Sequence, residues 1–379
     1  MSTFTFSRYS SRYGLFAAAA IVLLTAFSLW NIRQAARTQR AQERAQKAVR
    51  LLQLSHEADN TQVYKATSRT MAKYGERTME VVAAVMRAPD RLSITYLNGE
   101  RKGLHTGYNG NYFWRRENKA APLETYAKVD LSPSKMAAMR LDLTLKNYRA
   151  RLLGTDSVDG RAAEMVELRP RQLVAGAQGP IKRLWIDQQT NLTLRIDTFN
   201  HKGQLVMSEV LSNLQLVPSV PAQTFAPAQV LRVANMGSVL AQEMGNNVAR
   251  VEKATGIRPP RSSSLPPGFV FENVGVHHCN NAGSPYRAAL SRYSDGVNVL
   301  TIFAMKSKIG DDFNSKDKGV ADVKGAKSSG TCDFGPGTMV MRNTGQGRLV
   351  AVADLPEQTL QQVLATTKVE FTAQPSGTR

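Results

Sequence analysis

Residues 62–116 read QVYKATSRTMAKYGERTMEVVAAVMRAPDRLSITYLNGERKGLHTGYNGNYFWRR. This stretch decides the fold, because it reads as an antiparallel meander. Val63-Tyr64-Lys65-Ala66-Thr67 is one strand. Thr78 to Arg87 is a second, with Met79, Val81, Ala83 and Val85 on one face. Arg91 to Leu97 is a third, with Leu92, Ile94 and Tyr96 alternating against Arg91, Ser93 and Thr95. Asn98-Gly99 makes a turn, and Asn109-Gly110 makes another before Asn111-Tyr112-Phe113-Trp114. Alternation of period two broken by Asn-Gly pairs is a strong local hairpin signal. The apolar face of such a sheet must be covered, either by the protein's own core or by a ligand.

Further strands follow. Ser132-Pro133-Ser134 starts a helix, with Pro in its first turn. Met136, Met139 and Leu143 are expected to face inward. Tyr148 to Gly154, Ala162 to Arg169, Lys182 to Asp187, Leu192 to Phe199 and Gln204 to Leu216 then read as strands joined by polar turns such as Asp159-Gly160. That makes about eight antiparallel strands with only two helical stretches to cover them. Ala83, Val85, Leu92, Ile94, Tyr96, Trp114, Leu184, Ile186, Leu192, Leu194 and Ile196 are the candidate lining of a pocket that suits an acyl chain. Any one of them also fits a plain packed core.

Upstream, Tyr13 to Ile32 carries no charge and is long enough to cross a bilayer as a helix. A cleaved signal peptide is the competing reading, with Arg8 and Arg12 as its basic start. Asn31-Ile32-Arg33 is a poor cleavage site and favours an uncleaved anchor. Arg33 to about Asp59 lacks Pro and Gly and reads as a helix, polar all round at first. Six basic residues follow the span against two before it, which by charge bias alone would place the C-terminal side in the cytoplasm.

The chain has 379 residues, room for two ordinary domains, and 42% hydrophobic content suits folded structure. Lys and Arg number 49 against 30 acidic residues, a net +19 that favours anionic partners such as lipid headgroups. No zinc-finger, homeodomain or RNA-platform pattern is present, so nucleic acid is not expected. No phosphate loop, nucleophile elbow, dinucleotide fingerprint or His-Glu-x-x-His motif is present either, and no enzyme activity or cofactor is expected.

Val217-Pro218-Ser219-Val220-Pro221 ends the first domain. A helix from about Val230 to Thr255 and a Pro- and Ser-rich linker from Gly256 to Ser264 follow. The second domain reads as strands at Val270–His277, Arg287–Tyr293, Val297–Met305, Met339–Arg342 and Arg348–Ala353, a loop at 309–337, and a helix at Pro356–Thr366. Cys279 and Cys332 are the only cysteines. Paired as a disulfide, they would close a loop that stabilises by about 4 kcal/mol and imply an oxidising compartment. The alternatives are free thiols, or a metal site drawing on His277-His278-Cys279 and Cys332-Asp333.

In this order the motifs resemble a known family. A helix with Leu51-Leu52 and Ala58 precedes Arg87-Ala88-Pro89-Asp90-Arg91-Leu92, then Gly110 and Trp114. Val158-Asp159-Gly160-Arg161, Leu184-Trp185-Ile186-Asp187 and Leu192-Thr193-Leu194-Arg195 come later. This looks like the lipoprotein-carrier fold of LolA and of the N-terminal domain of the sigma-E regulators RseB and MucB. Leu265 to Phe269, Tyr293-Ser294-Asp295-Gly296 and Val350 to Leu360 resemble the C-terminal domain of RseB. The resemblance implies an α+β protein: a strongly curved antiparallel half-barrel wrapped around helices, then a smaller α+β domain. It implies that the hollow takes the acyl chain of a lipid or lipoprotein, and that the periplasmic domain of an anti-sigma factor is the protein partner. It also implies export, against the charge bias, to a periplasmic position at the bacterial inner membrane. The expected organisation is a cytoplasmic tail at 1–12, an anchor at 13–32, a stalk at 33–47, the lipid-binding domain at 48–227, a helix and linker at 228–264, the second domain at 265–371 and a tail at 372–379. A soluble carrier of the LolA type is one alternative, and a permanent anchor argues against it; a metal-dependent enzyme built on the His277-His278-Cys279 and Cys332-Asp333 cluster is the other.

Overall fold

From Leu15 to Thr61 the chain has no Gly or Pro and is rich in Ala, Leu, Gln and Arg, all good helix formers. It forms one helix, α1 (Ser10–Thr61). At 1.5 Å per residue the helix is about 78 Å long. Side chains from Trp30 to Lys47 are exposed; then Ala48, Leu52, Ser55 and Ala58 form a buried stripe at helical spacing. The computed structural model describes residues 10–74, 77–110, 113–116, 124–125, 133–178, 181–225, 232–233, 242–281, 284–306 and 337–372. For residues 10–29, 74, 113, 124–125, 133, 232–233, 242–245, 278–281 and 284–286 the description covers the backbone only. Among the described residues no helix is long and apolar enough to cross a membrane. The expected anchor, 13–32, falls mostly on side chains outside that description.

The large sheet follows. Its strands are β1 (Tyr64–Tyr74), β2 (Arg77–Ala88), β3 (Arg91–Tyr96), β4 (His105–Tyr108), β5 (Phe113–Arg116) and β6 (Glu124–Thr125). Then comes α2 (Pro133–Asn147), and after it β7 (Tyr148–Val158), β8 (Arg161–Pro170), β9 (Lys182–Asp187), β10 (Thr193–Phe199) and β11 (Leu205–Leu216). With β12 (Arg232–Val233) they make an open 12-stranded sheet, ordered β12-β6-β5-β4-β3-β2-β1-β11-β10-β9-β8-β7. Two meanders are thus joined edge to edge through β1 and β11, and every pairing except β12 with β6 is antiparallel. Helix α2 links β6, near one edge, to β7 at the other, so it must cross the sheet. Its start is tied to the β2–β3 turn, where the Ser134 N–H donates to Asp90 Oδ1 (3.3 Å). Asp159 and Gly160, with φ of 49° and 75°, form the left-handed pair that a two-residue β7–β8 hairpin needs.

The meander and its Asn98-Gly99 turn match expectation, but β1 runs to Tyr74 where the expected strand ended at Thr67, and β4 is a strand where none was expected. Met139 does not match it: it is exposed, while Met136 and Leu143 are half-buried, Thr144 is buried, and Leu141 and Leu145 pack into the cluster around Leu52.

The second unit holds β13 (Gln242–Gly245), α3 (Val248–Thr255), β14 (Ile257–Ser262), β15 (Val270–Asn281), β16 (Ser284–Ser294), β17 (Val299–Lys306), β18 (Thr338–Asn343), β19 (Gly347–Ala353), α4 (Glu357–Ala365) and β20 (Thr367–Phe371). Its six-stranded sheet runs β13-β15-β16-β17-β19-β18, with β14 and β20 as a separate ribbon. Val274, Leu300, Ile302 and Leu349 of the sheet pack with Val251 of α3, Ile257 of β14 and Leu360 and Leu364 of α4. All but Val251 are exposed by 1% or less, which marks a closed core.

Two expectations fail here. The helix expected over 230–255 is only α3, because Asn247 caps it by accepting from the Arg250 N–H (2.9 Å) and Gly256 ends it at φ 64°. The expected linker 256–264 contains β14 instead. Pro259 and Pro260 fit in that strand because they fall at its register break, between Arg258 and Arg261, where no ladder N–H is required. The loop expected at 309–337 lies almost wholly outside the described residues.

Candidate functional site

Residues opposite one another in an antiparallel ladder share a face. Tyr64 pairs with Arg87, Ala66 with Val85 and Ser68 with Ala83. Val85 in turn pairs with Ile94, Ala83 with Tyr96 and Arg87 with Leu92. Tyr64 and Ala66 pack against Ala58 of α1, so this is the face that carries the helices. Across β11, Thr70 pairs with Glu209, which pairs with Ile196, which pairs with Leu184. Leu184 and Ile186 pack with Leu52 of α1, and Leu192 packs with Ala58. Nine of the eleven candidate lining residues therefore meet on one face: Ala83, Val85, Leu92, Ile94, Tyr96, Leu184, Ile186, Leu192 and Ile196.

Their coverage differs. Ile186 and Leu192 are sealed at 0% exposure beneath α1, and Ala83 is also buried. Val85, Leu92, Ile94, Tyr96, Leu184 and Ile196 are only half-buried. One part of this face is closed core and the adjoining part is not.

Leu194 and Trp114 stand on the far face. The β9–β10 register shifts between Thr193 and Arg195, so Leu194 is a bulged residue and packs with Val158, Ala163 and Trp185. Trp114 pairs with Gly107, which pairs with Ser93, out of phase with Leu92 and Ile94. It is 1% exposed, meets His105 edge-on at 4.7 Å, and donates from Nε1 to Phe225 O at 2.7 Å. A Cβ on Gly107 would run into its ring.

The helix face also carries charge. Burial pushes the Asp59 carboxyl up, against the pull of Arg87 and His56. Burial likewise pushes the Tyr64 phenol up to about 12. Ser68 Oγ donates to Glu209 Oε1 at 3.1 Å, and on α1 Lys47 Nζ meets Glu164 Oε1 at 2.6 Å. Lys182 pairs with Leu168 and Thr198, which puts it in phase with Leu184. Burial lowers its ammonium pKa, Arg140 adds to that, and Glu209 and Asp295 oppose it. The Thr198 hydroxyl is buried with no hydrogen-bond partner among the described residues. The sequence held a signal for Lys182: in Lys182-Arg-Leu-Trp-Ile the cation alternates in step with two lining aliphatics.

Helix α2 and the start of β7 meet the second unit. Arg140 Nε and Nη2 donate to the two carboxylate oxygens of Glu272 (2.7 and 3.0 Å). Asn147 Nδ2 donates to the carbonyls of Gly268 (3.0 Å) and Asp295 (2.9 Å). Val297, in the β16–β17 turn, joins the cluster of Leu141, Leu145 and Tyr148. Farther along, the His201 N–H donates to Asp354 Oδ1 at 3.0 Å.

Among the described residues no group of three or more His, Cys, Asp or Glu side chains is placed to hold a metal ion. His277 is buried on β15, edge-on to Phe303. The side chains of His278 and Cys279, and all of Cys332 and Asp333, lie outside the described residues. So do the disulfide and the metal alternative that depend on them.

Comparison with known proteins follows the same division. Residues 47–229 match the family model of the MucB/RseB N-terminal domain. No curated protein matches the chain. A crystal structure of MucB is 18% identical with a TM-score of 0.52, over 86% of this chain and 98% of that one. The MucA/MucB complex of Pseudomonas aeruginosa gives 20% and 0.53, over 86% and 99%. MucB in complex with MucA(peri) gives 19% and 0.51, over the same shares. At these identities the likeness is one of fold.

Proposed function

We propose that this chain, which is RseB/MucB-like, is a binding and regulatory protein that takes an acyl chain of a lipid or lipoprotein against the helix face of its large sheet. The half-covered aliphatic floor carries this reading. Val85, Leu92, Ile94, Tyr96 and Ile196 share the face on which Ile186 and Leu192 are fully sealed, yet they stay half-buried. In a half-barrel of the LolA kind that floor becomes a hollow, and a fatty chain completes its coverage. Each methylene buried there contributes about 0.8 kcal/mol, so eight of them contribute about 6 kcal/mol.

The protein partner on this reading is the periplasmic part of an anti-sigma factor. The support is the likeness to MucB, which is seen in complexes with MucA. The uncharged stretch 13–32 anchors the protein in the bacterial inner membrane, with both units in the periplasm. The disulfide between Cys279 and Cys332 belongs to the same proposal.

Extraction into polymer nanodiscs without detergent, followed by native mass spectrometry, tests the ligand. The wild-type chain is expected to carry an acyl species and the Ile94→Trp variant to lack it. A wild-type chain bare of any acyl mass removes the ligand from the proposal. A C-terminal reporter active only in the cytoplasm would remove the periplasmic placement.

A further inference from the structure

We propose that Lys182 and Thr198 form a subsite for the anionic end of the acyl ligand, a carboxylate or a phosphate, so that the guest is an acidic amphiphile and not a neutral one. This rests on the acyl-binding reading above and deepens it.

The geometry is a cross-strand pair. Lys182 on β9 lies directly opposite Thr198 on β10, and Thr198 lies opposite Met207 on β11. All three point to the helix face, in phase with Leu184 and Ile196. Opposed residues in a ladder have Cβ atoms about 5 Å apart, so one small anion can reach both side chains. The Thr198 hydroxyl is buried and makes no hydrogen bond among the described residues, although buried hydroxyls are normally satisfied. Lys182 is half-buried as a residue and has no ion pair or hydrogen bond among the described residues. Three charges act on Lys182 from nearby. Arg140 is held by Glu272, Asp295 by Tyr148 and the N–H groups of Val297 and Asn298, and Glu209 accepts only from the neutral Ser68 hydroxyl. Three donors of the ammonium and one of the hydroxyl thus stand on paired residues of one face, in line with Leu184 and Ile196. An anion placed there gains charge-assisted bonds and restores the charged form of a lysine that burial disfavours.

Equilibrium dialysis of the full chain in nanodiscs of neutral lipid, with empty nanodiscs subtracted, tests this. The probes are radiolabelled dodecanoate, dodecyl phosphate and dodecanol, with inorganic phosphate as a competitor. The wild type is expected to bind the two anions about tenfold more tightly than dodecanol. Lys182→Met should bring the anions down to the dodecanol level while dodecanol binding stays unchanged, which also shows that the variant is folded. Thr198→Val should cost the anions about threefold and dodecanol nothing.

Equal binding of all three probes by the wild type, or an anion preference that survives Lys182→Met, overturns the subsite and leaves the acyl reading standing. Inorganic phosphate that displaces dodecyl phosphate at equal concentration shows a free-anion site and overturns the lipid headgroup assignment. Failure of every chain to bind the wild type overturns the acyl reading itself.

Discussion

Tyr148 donates a 2.6 Å hydrogen bond from its hydroxyl to Oδ2 of Asp295, in a buried contact between the two units. The other carboxyl oxygen of Asp295 accepts from the N–H groups of Val297 (2.9 Å) and Asn298 (2.7 Å), so Oδ2 relies on the tyrosine. Tyr148→Phe leaves a buried acceptor without its donor, which costs about 1–3 kcal/mol. Urea unfolding should show that loss. Adding Asp295→Asn should recover part of it, because the two residues share one bond and their effects are not additive. An unchanged midpoint in Tyr148→Phe would show that the units are not held together at this point.

The same turn presents Gly296, whose backbone sits at φ 101°, a region that side chains disfavour. A Cβ there would lie 2.7 Å from Arg140 O and from Thr144 Oγ1 of α2. Gly296→Ala must therefore move the turn off the helix, at a cost of about 1–3 kcal/mol. The expected signs are a lower midpoint, faster proteolysis between the units and a larger radius of gyration. Gly345→Ala is the control, because nothing lies within 4 Å of its added carbon. Equal behaviour of the two variants would remove the idea that the turn is wedged against α2.

Tyr64 sets an alkaline limit. Burial raises its phenol from the usual 10 to about 12. A group whose folded pKa exceeds its unfolded value binds its proton more tightly in the folded state. Its stabilising contribution is thus complete below pH 10 and is lost as pH rises from 10 to about 12. Tyr64→Phe should flatten the fall in melting temperature across that window and leave the slope below pH 9 unchanged. A slope between pH 10 and 12 that is the same in both proteins would place the alkaline sensitivity elsewhere.

The sheet was readable because its signals are local. Alternation along Leu92, Ile94 and Tyr96 and the Asn98-Gly99 turn need no knowledge of distant residues, and both are found in the structure. The two lining residues that were misplaced depend on register, which is not local. Leu194 sits on the far face because of one extra residue in the β9–β10 ladder, and nothing in Leu192-Thr193-Leu194 announces that bulge. Trp114 follows the phase of Gly107, which only the pairing of β4 with β5 reveals. The strand around Pro259-Pro260 was hidden for a related reason: prolines argue against a strand unless its register is broken where they stand. The contacts of α2 with Glu272 and Asp295, through Arg140 and Asn147, join residues more than 130 positions apart, beyond any reading of spacing.

Leu194 and Ile94 separate packed core from the proposed binding surface. Both are aliphatic strand residues of the large sheet, and simple alternation assigned both to one pocket. Leu194 is 1% exposed among Val158, Ala163 and Trp185, so Leu194→Ala opens a cavity and should cost about 2–5 kcal/mol. Acyl binding by the fraction that remains folded should be unchanged, because this side chain lies across the sheet from the floor. Ile94 is half-buried on the helix face, so the larger ring of Ile94→Trp is not confined by a closed core, and its cost should stay within about 1–3 kcal/mol, the usual cost of added volume. The same variant should abolish acyl binding by filling the place of the chain. Thermal melts paired with dodecanoate dialysis distinguish the two outcomes. The reverse pattern, a stable Leu194→Ala that loses ligand beside an Ile94→Trp that unfolds with ligand binding intact, would move the site to the far face.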